Sequence, residues 1–304
     1  MSEKHLVRKA FTDALLAAAK EDEAIIALAT DSRGSVTLGD FANELPLQFV
    51  ECGIAEQNAV GIAAGLSNAG LKPFVCSPAC FLAARSAEQV KVDVGYCHSN
   101  VKLMGVSGGI SYGALGTTHH STQDIAWMRT IPGLQVIIPA DANQMTACVK
   151  ALCQSEEPAY VRMGRGAVED VYGENPPFHI GKANRLRAGT GLAIIACGEM
   201  VAPALKAADA LGAAMYDMHT IRPLDVDAVL EAACCGRVLT VEEHCVAGGL
   251  GSAVAEVLCQ RKPVPMKIMG LPNEPLYNGS SDEVKEHYGL TAEGIIKAAQ
   301  ELMK

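Results

Sequence analysis

Short apolar runs without polar alternation, each followed by a helix-like stretch, constrain this chain most. Ala24-Ile25-Ile26-Ala27-Leu28-Ala29 is the first. A continuous apolar run of that length suits a strand covered on both faces. Thr30-Asp31-Ser32-Arg33-Gly34-Ser35 then supplies a polar loop at its carboxyl end. The pattern recurs at Phe49-Val50-Glu51-Cys52, Pro73-Phe74-Val75-Cys76, 101–106, 134–138 and 159–162, with helices predicted over 4–20, from Glu56 onward, up to about Tyr96, over 124–129 and over 142–154. Alternating strands and helices predict a parallel sheet with crossover connections. Ligands of such sheets gather outside the carboxyl ends of the strands.

Residues 165–190 break the rhythm with Asn175-Pro176-Pro177, several glycines and mixed charge. That composition predicts a linker, placed at 169–190 between a first unit at 1–168 and a second at 191–304. The second unit repeats the alternation, with strands at 192–197, 213–217, 237–241 and 266–269, and helices near 201–211, 225–234, 249–261 and 291–303. The predicted fold class is α/β: two consecutive open α/β domains, the first with a mostly parallel sheet and the second smaller.

The 304 residues are 49% apolar but only 5% aromatic, so alanine, glycine and valine carry much of the core. Small side chains favour close helix–sheet packing and leave apolar surface for a large interface. A net charge of −9 argues against nucleic acid or an anionic membrane as partner. The 11 cysteines are scattered through apolar runs and none forms Cys-x-x-Cys. They read as reduced, buried thiols of a cytoplasmic protein. Met1-Ser2-Glu3-Lys4-His5 does not resemble a signal peptide, and no apolar stretch is long enough to span a bilayer.

Two segments point to chemistry. Cys52-Gly53-Ile54-Ala55-Glu56-Gln57-Asn58 sets one carboxylate, Glu56, at the start of an otherwise apolar helix rich in glycine and alanine. An acid there is either a solvated first-turn residue favoured by the helix dipole or a buried acid that shares a proton with a ligand. The second segment, residues 107–124, is a glycine-rich loop carrying His119-His120 and ending in Ser121-Thr122-Gln123-Asp124. Glycine lets a loop approach a ligand closely. Adjacent histidines lack the i, i+4 spacing of a metal pair on one helix face. Proton transfer or substrate binding suits imidazole better.

Gly53-Ile54-Ala55-Glu56-Gln57-Asn58, His119 ahead of Gln123-Asp124, Met128-Arg129-Thr130-Ile131-Pro132-Gly133-Leu134 and Pro139-Ala140-Asp141 together resemble the pyrimidine-binding domain of transketolases. His219-Thr220-Ile221-Arg222-Pro223-Leu224-Asp225, Glu242-Glu243-His244 and Gly248-Gly249-Leu250-Gly251-Ser252 resemble their C-terminal domain. The similarity runs through nearly the whole chain in order. It implies a thiamine diphosphate enzyme that moves a two-carbon ketol unit between sugars. The family's other domain holds the diphosphate and its Mg2+, or a similar divalent ion, through Gly-Asp-Gly and a distant Asn. This chain has no Gly-Asp-Gly. The resemblance is therefore to the C-terminal subunit of a split transketolase, which binds no metal itself. It shares the cofactor with an N-terminal partner chain, in a heterotetramer by family geometry.

By the same resemblance Glu56 hydrogen-bonds the aminopyrimidine ring nitrogen, Phe81 stacks on that ring and Asp31 lies on the thiazolium side. His119 contacts the substrate oxygen and assists proton transfer. Arg8, Ser35 and Arg165 bind an anionic tail, with Arg162 a nearby competitor; arginine's planar fork suits such oxygens. Three positions depart from the family. Leu115 stands where an Asp usually reads a donor hydroxyl, Ser107 where a phosphate-binding His is common, and Pro78 where an aromatic residue sits beside the cofactor. The departures imply a modified ketose, branched or with a sulfonate tail. Rival readings are the β subunit of a thiamine-dependent 2-oxo acid dehydrogenase, a 1-deoxyxylulose 5-phosphate synthase-like enzyme, and a non-catalytic scaffold.

Overall fold

In the computed structural model, which describes residues 3–304, fourteen strands are numbered here in chain order. They are β1 Lys4–Leu6, β2 Ile25–Ala29, β3 Phe49–Glu51, β4 Lys72–Pro78, β5 Lys102–Val106, β6 Gln135–Ile137, β7 Ala159–Met163 and β8 Ala167–Glu169, then β9 Asn184–Arg187, β10 Ala193–Ala196, β11 Ala214–Asp217, β12 Thr220–Arg222, β13 Val238–Cys245 and β14 Met266–Leu271. The first sheet runs β12-β6-β7-β5-β4-β2-β3 and the second β14-β13-β10-β11-β9. Each is parallel except for one edge strand: β12 lies antiparallel to β6, and β9 antiparallel to β11. The expected α/β architecture of two sheets, the first mostly parallel, is the observed one.

The central strands are buried as their largely apolar composition demands. Every residue of β2, β5 and β7 is buried, including Lys102 and Arg162. Side chains alternate between the faces. Leu28, Val75 and Leu103 meet Ala59, Val60 and Leu82 on one side, and this core continues into Ile195, Val229 and Leu250 of the second unit. Ala27, Phe74 and Met104 meet Phe11 and Leu15 of helix Val7–Glu21 on the other. The two units thus share apolar packing.

The structure corrects several details. The stretch 169–190, expected as linker, contributes β9 to the second sheet. β12, from the second unit, returns to pair with β6 of the first, Thr220 opposite Ile137. The helix expected up to Tyr96 breaks at Ser86 and ends in a π-helical segment, Val90–Tyr96. There the Gly95 backbone packs against Ile131 and Pro132, where a Cβ would lie 2.6 Å from the Ile131 methyl. Lys4–Leu6 pairs with β8 and does not join the first helix. Helix Ser281–His287 was not foreseen, although Ser280 and Glu283 form a full capping box. Among the described residues no helix is long and apolar enough to cross a membrane.

Asp217 ends β11 and is fully buried; its Oδ2 accepts from Tyr172 Oη and Gln144 Nε2, each at 2.6 Å. Burial pushes its pKa up to about 7, above the ordinary 3.8. Between those values the folded chain retains a proton that the unfolded chain releases, so this group's contribution to stability falls as pH rises from about 4 to about 7. Asp217→Asn keeps a carbonyl acceptor and cannot ionise. Its melting temperature relative to the parent should therefore be higher at pH 8 than at pH 5. A difference that does not change with pH would show that Asp217 does not titrate in this range.

Candidate active site

Loops at the carboxyl ends of β2, β3, β4, β5 and β7 surround a crevice of about 400 Å3. β2 delivers Thr30, Asp31, Ser32 and Ser35; β3 leads into Ile54 and Glu56; β4 leads into Pro78, Phe81 and Arg85. The loop after β5 brings Tyr112, Leu115 and His119, and β7 is followed by Arg165. The crevice therefore gathers Asp31, Ser35, Glu56, Phe81, Leu115, His119 and Arg165, drawn from five separate loops.

Glu56 opens helix Glu56–Asn68 and is only 3% exposed. The sequence showed no counter-charge for it, but the structure does: Arg85 Nη1 donates to Glu56 Oε2 at 3.1 Å. The same guanidinium lies 4.2 Å from the centre of the Phe81 ring. Arg85 and Phe81 are four residues apart on one short helix, hence on one face, and that spacing was legible in the sequence. The side chain of Arg85 is 47% exposed, so its half of the pairing competes with water.

His119 is held edge-on between the rings of Phe81 (5.3 Å) and Tyr112 (5.4 Å), and its Nδ1 lies 2.9 Å from Thr118 Oγ1. Its neighbour His120 has the opposite fate. It is buried, places Nε2 3.3 Å from the Gly113 carbonyl, and has its pKa lowered by that burial. The histidine pair is thus one crevice residue and one packing residue.

Arg165 Nη1 donates to Tyr112 Oη at 2.8 Å. Arg8 does not line the crevice. It stands behind Ser35, donating to that carbonyl at 2.8 Å, with Nε buried and without a partner among the described residues. Burial, reinforced by the nearby Arg165, lowers the Arg8 pKa, and neither arginine has a carboxylate partner among the described residues. Arg162 is excluded from the crevice: it is buried, with Nε 3.2 Å from Asp124 Oδ2 and Nη2 donating to the Glu243 carbonyl at 2.6 Å. Ser107 is buried in a left-handed conformation (φ +61°), does not line the crevice, and its hydroxyl has no partner among the described residues. Asp31 is exposed at the rim, with φ +54° and its N–H donating to Glu51 Oε1 at 2.7 Å. Tyr112, Ile54, Thr30 and Ser32 complete the lining; each lies in a segment that the sequence marked, but none was singled out as a site residue.

Two open α/β units thus carry a strand-end crevice that houses a buried glutamate and an aromatic ring. Residues 3–170 match the pyrimidine-binding domain of transketolase, and residues 181–295 match the transketolase C-terminal domain. The chain belongs to the transketolase family, a family of transferases that depend on thiamine diphosphate. It is 55% identical to an apulose-4-phosphate transketolase subunit of Phocaeicola vulgatus, across 98% of this chain and 97% of that one. It is 39% identical to the 6-deoxy-6-sulfo-D-fructose transketolase subunit SqwH of Clostridium sp., across 99% and 95%. A solved structure described as a split gene transketolase, inactive beta4 tetramer, superposes with a TM-score of 0.91 at 38% identity and 98% coverage of each chain.

Proposed function

We propose that this chain is the cofactor-sharing half of a two-chain transketolase. It works with a partner chain that carries the diphosphate- and metal-binding domain, and it takes a two-carbon ketol unit from a modified ketose with an anionic tail. The main support is the gathering of Glu56, Phe81, His119 and the uncompensated cation Arg165 around one crevice, with a second uncompensated cation, Arg8, behind Ser35. The residues suit the pyrimidine half of thiamine diphosphate. Glu56 is nearly inaccessible, its partner Arg85 is half-exposed, and Phe81 offers an aromatic surface beside it. The cofactor, when bound, supplies the carbon nucleophile of ketol transfer. Glu56 would hold a proton at the ring nitrogen, Asp31 would flank the thiazolium side, and His119 would exchange a proton with the substrate oxygen.

Ser35 and Arg165, backed by Arg8, would bind the tail. The names of the two relatives specify a phosphate at carbon 4 and a sulfo group at carbon 6, both anions. Leu115, 53% exposed at the crevice, cannot hydrogen-bond and would face an altered part of the donor. Ser107 keeps at most an indirect role in substrate binding, because it lies outside the crevice lining. A heterotetramer of two of each chain and a cytoplasmic setting complete the reading; a relative solved as an inactive tetramer of its β chain alone supports dependence on a partner. We take the first domain as 1–168 and the second as 191–304 together with β9 of the intervening stretch 169–190.

Coupled assays of the reconstituted pair with ketose phosphates, sulfoketoses and xylulose 5-phosphate test this reading. Modified, anionic-tailed donors should be preferred. Arg165→Ala should raise KM for them by about 10-fold or more, the loss of one charge-assisted contact, with little change for an uncharged donor. Xylulose 5-phosphate turnover equal to that of an ordinary transketolase would overturn the modified-donor reading. Oxo acid decarboxylation without ketol transfer would favour the dehydrogenase β-chain reading.

A further inference from the structure

The loop that carries Leu115 and His119 belongs to the first unit, yet much of its support comes from the second. Glu243, near the end of β13 and 4% exposed, reaches across and accepts from the Ile110 N–H at 2.8 Å through Oε1. Ser281 Oγ donates to the Ile110 carbonyl at 3.0 Å, so both backbone groups of Ile110 are held by the C-terminal unit. Glycines make the approach possible. A Cβ on Gly109 (φ +61°) would collide with the Glu243 carboxylate and Arg162, and one on Gly113 with the Gly279 carbonyl. The glycine-rich character read from the sequence as a means of approaching a ligand serves at these positions to dock the loop against the second unit. Arg162 locks the other side of Glu243 by donating to its carbonyl, and Lys285 Nζ lies 3.9 Å from its Oε2.

We propose that Glu243 is a positioning residue for ketol transfer: by holding the Ile110 N–H it fixes the loop that presents Leu115 and His119 to the crevice. The proposal rests on the transketolase reading above. A loop free to shift by an ångström misplaces His119 against the substrate oxygen, and displacements of that size cost about 10²-fold in rate. Glu56 lies on a separate helix that contributes nothing to the clamp. The clamp therefore acts on substrate steps and spares proton exchange at the cofactor.

The test uses the reconstituted pair. Glu243→Ala should lower kcat for the preferred donor by about 10- to 10²-fold, and hydrogen exchange should speed up in peptides covering 108–120. Proton exchange at C2 of bound thiamine diphosphate should stay at the parent rate. Glu243→Gln keeps an acceptor for Ile110 and should restore kcat to within a few-fold. If the alanine variant fails to assemble, Glu243→Asp, which keeps the charge but shortens the reach, takes its place and should show the same selective loss. Full kcat in the variant tested, or equal losses of kcat and C2 exchange, would overturn the positioning role. A parent pair that transfers no ketol unit from any ketose would instead sink the functional reading beneath it.

Discussion

Glu56→Gln is expected to slow proton exchange at C2 of bound thiamine diphosphate by roughly 10²–10⁴-fold, the range of a lost acid–base group. The fold should survive, because the substitution is isosteric and Gln retains an oxygen to accept from Arg85, the observed partner of the carboxylate. What disappears is the transferable proton. An amide cannot shuttle between protonated and deprotonated forms beside the ring nitrogen. Quenched-flow deuterium exchange read by NMR, with far-UV circular dichroism to verify the fold, measures both halves of the expectation. Exchange at the parent rate in a folded variant would remove Glu56 from the proton path.

The chain by itself is expected to show no turnover and only weak binding of thiamine diphosphate. On the proposed reading the crevice residues would contact only one half of such a cofactor, and the chain has no Gly-Asp-Gly with which to seat a metal-bound diphosphate. Contacts to a doubly charged diphosphate and its metal form the charge-assisted part of the affinity, and on this reading they lie in the partner. Calorimetric titration of the chain with cofactor and Mg2+ should give little heat. Addition of the partner chain should restore both saturable binding and ketol transfer. Tight, metal-dependent binding by this chain alone would contradict the shared-site arrangement.

The strands were legible because burial on both faces of a parallel sheet leaves a local mark, a largely apolar run without polar alternation. β2, β5 and β7 lie within a residue or so of their predicted bounds. The antiparallel edge strands carry no such mark. β9 and β12 are short, β9 is only partly buried, and each is seen as a strand through its pairing with one neighbour. The site divides in the same way. Glu56 and His119 stood out as polar residues in apolar or glycine-rich settings. Arg85, exposed on its helix, gave no sign by itself that it pairs with Glu56. Arg162 and Arg165, three residues apart, looked interchangeable in the sequence. β7 sends the first inward to Asp124 and Glu243, and the loop beyond it turns the second toward the crevice.

Hydrophobic periodicity and an ordered set of motifs, both properties of neighbours along the chain, determined the α/β class, the succession of two units and the family. The tertiary structure alone decided that Gly109, Gly113 and Gly116 of the 107–120 loop face the second unit, that Glu243 accepts a hydrogen bond from that loop, and that Arg8 stands behind Ser35 without lining the crevice. The physical reason is range. Burial of a strand is written into five or six consecutive residues, whereas Ile110 and Glu243 lie 133 positions apart and meet only when both sheets are assembled.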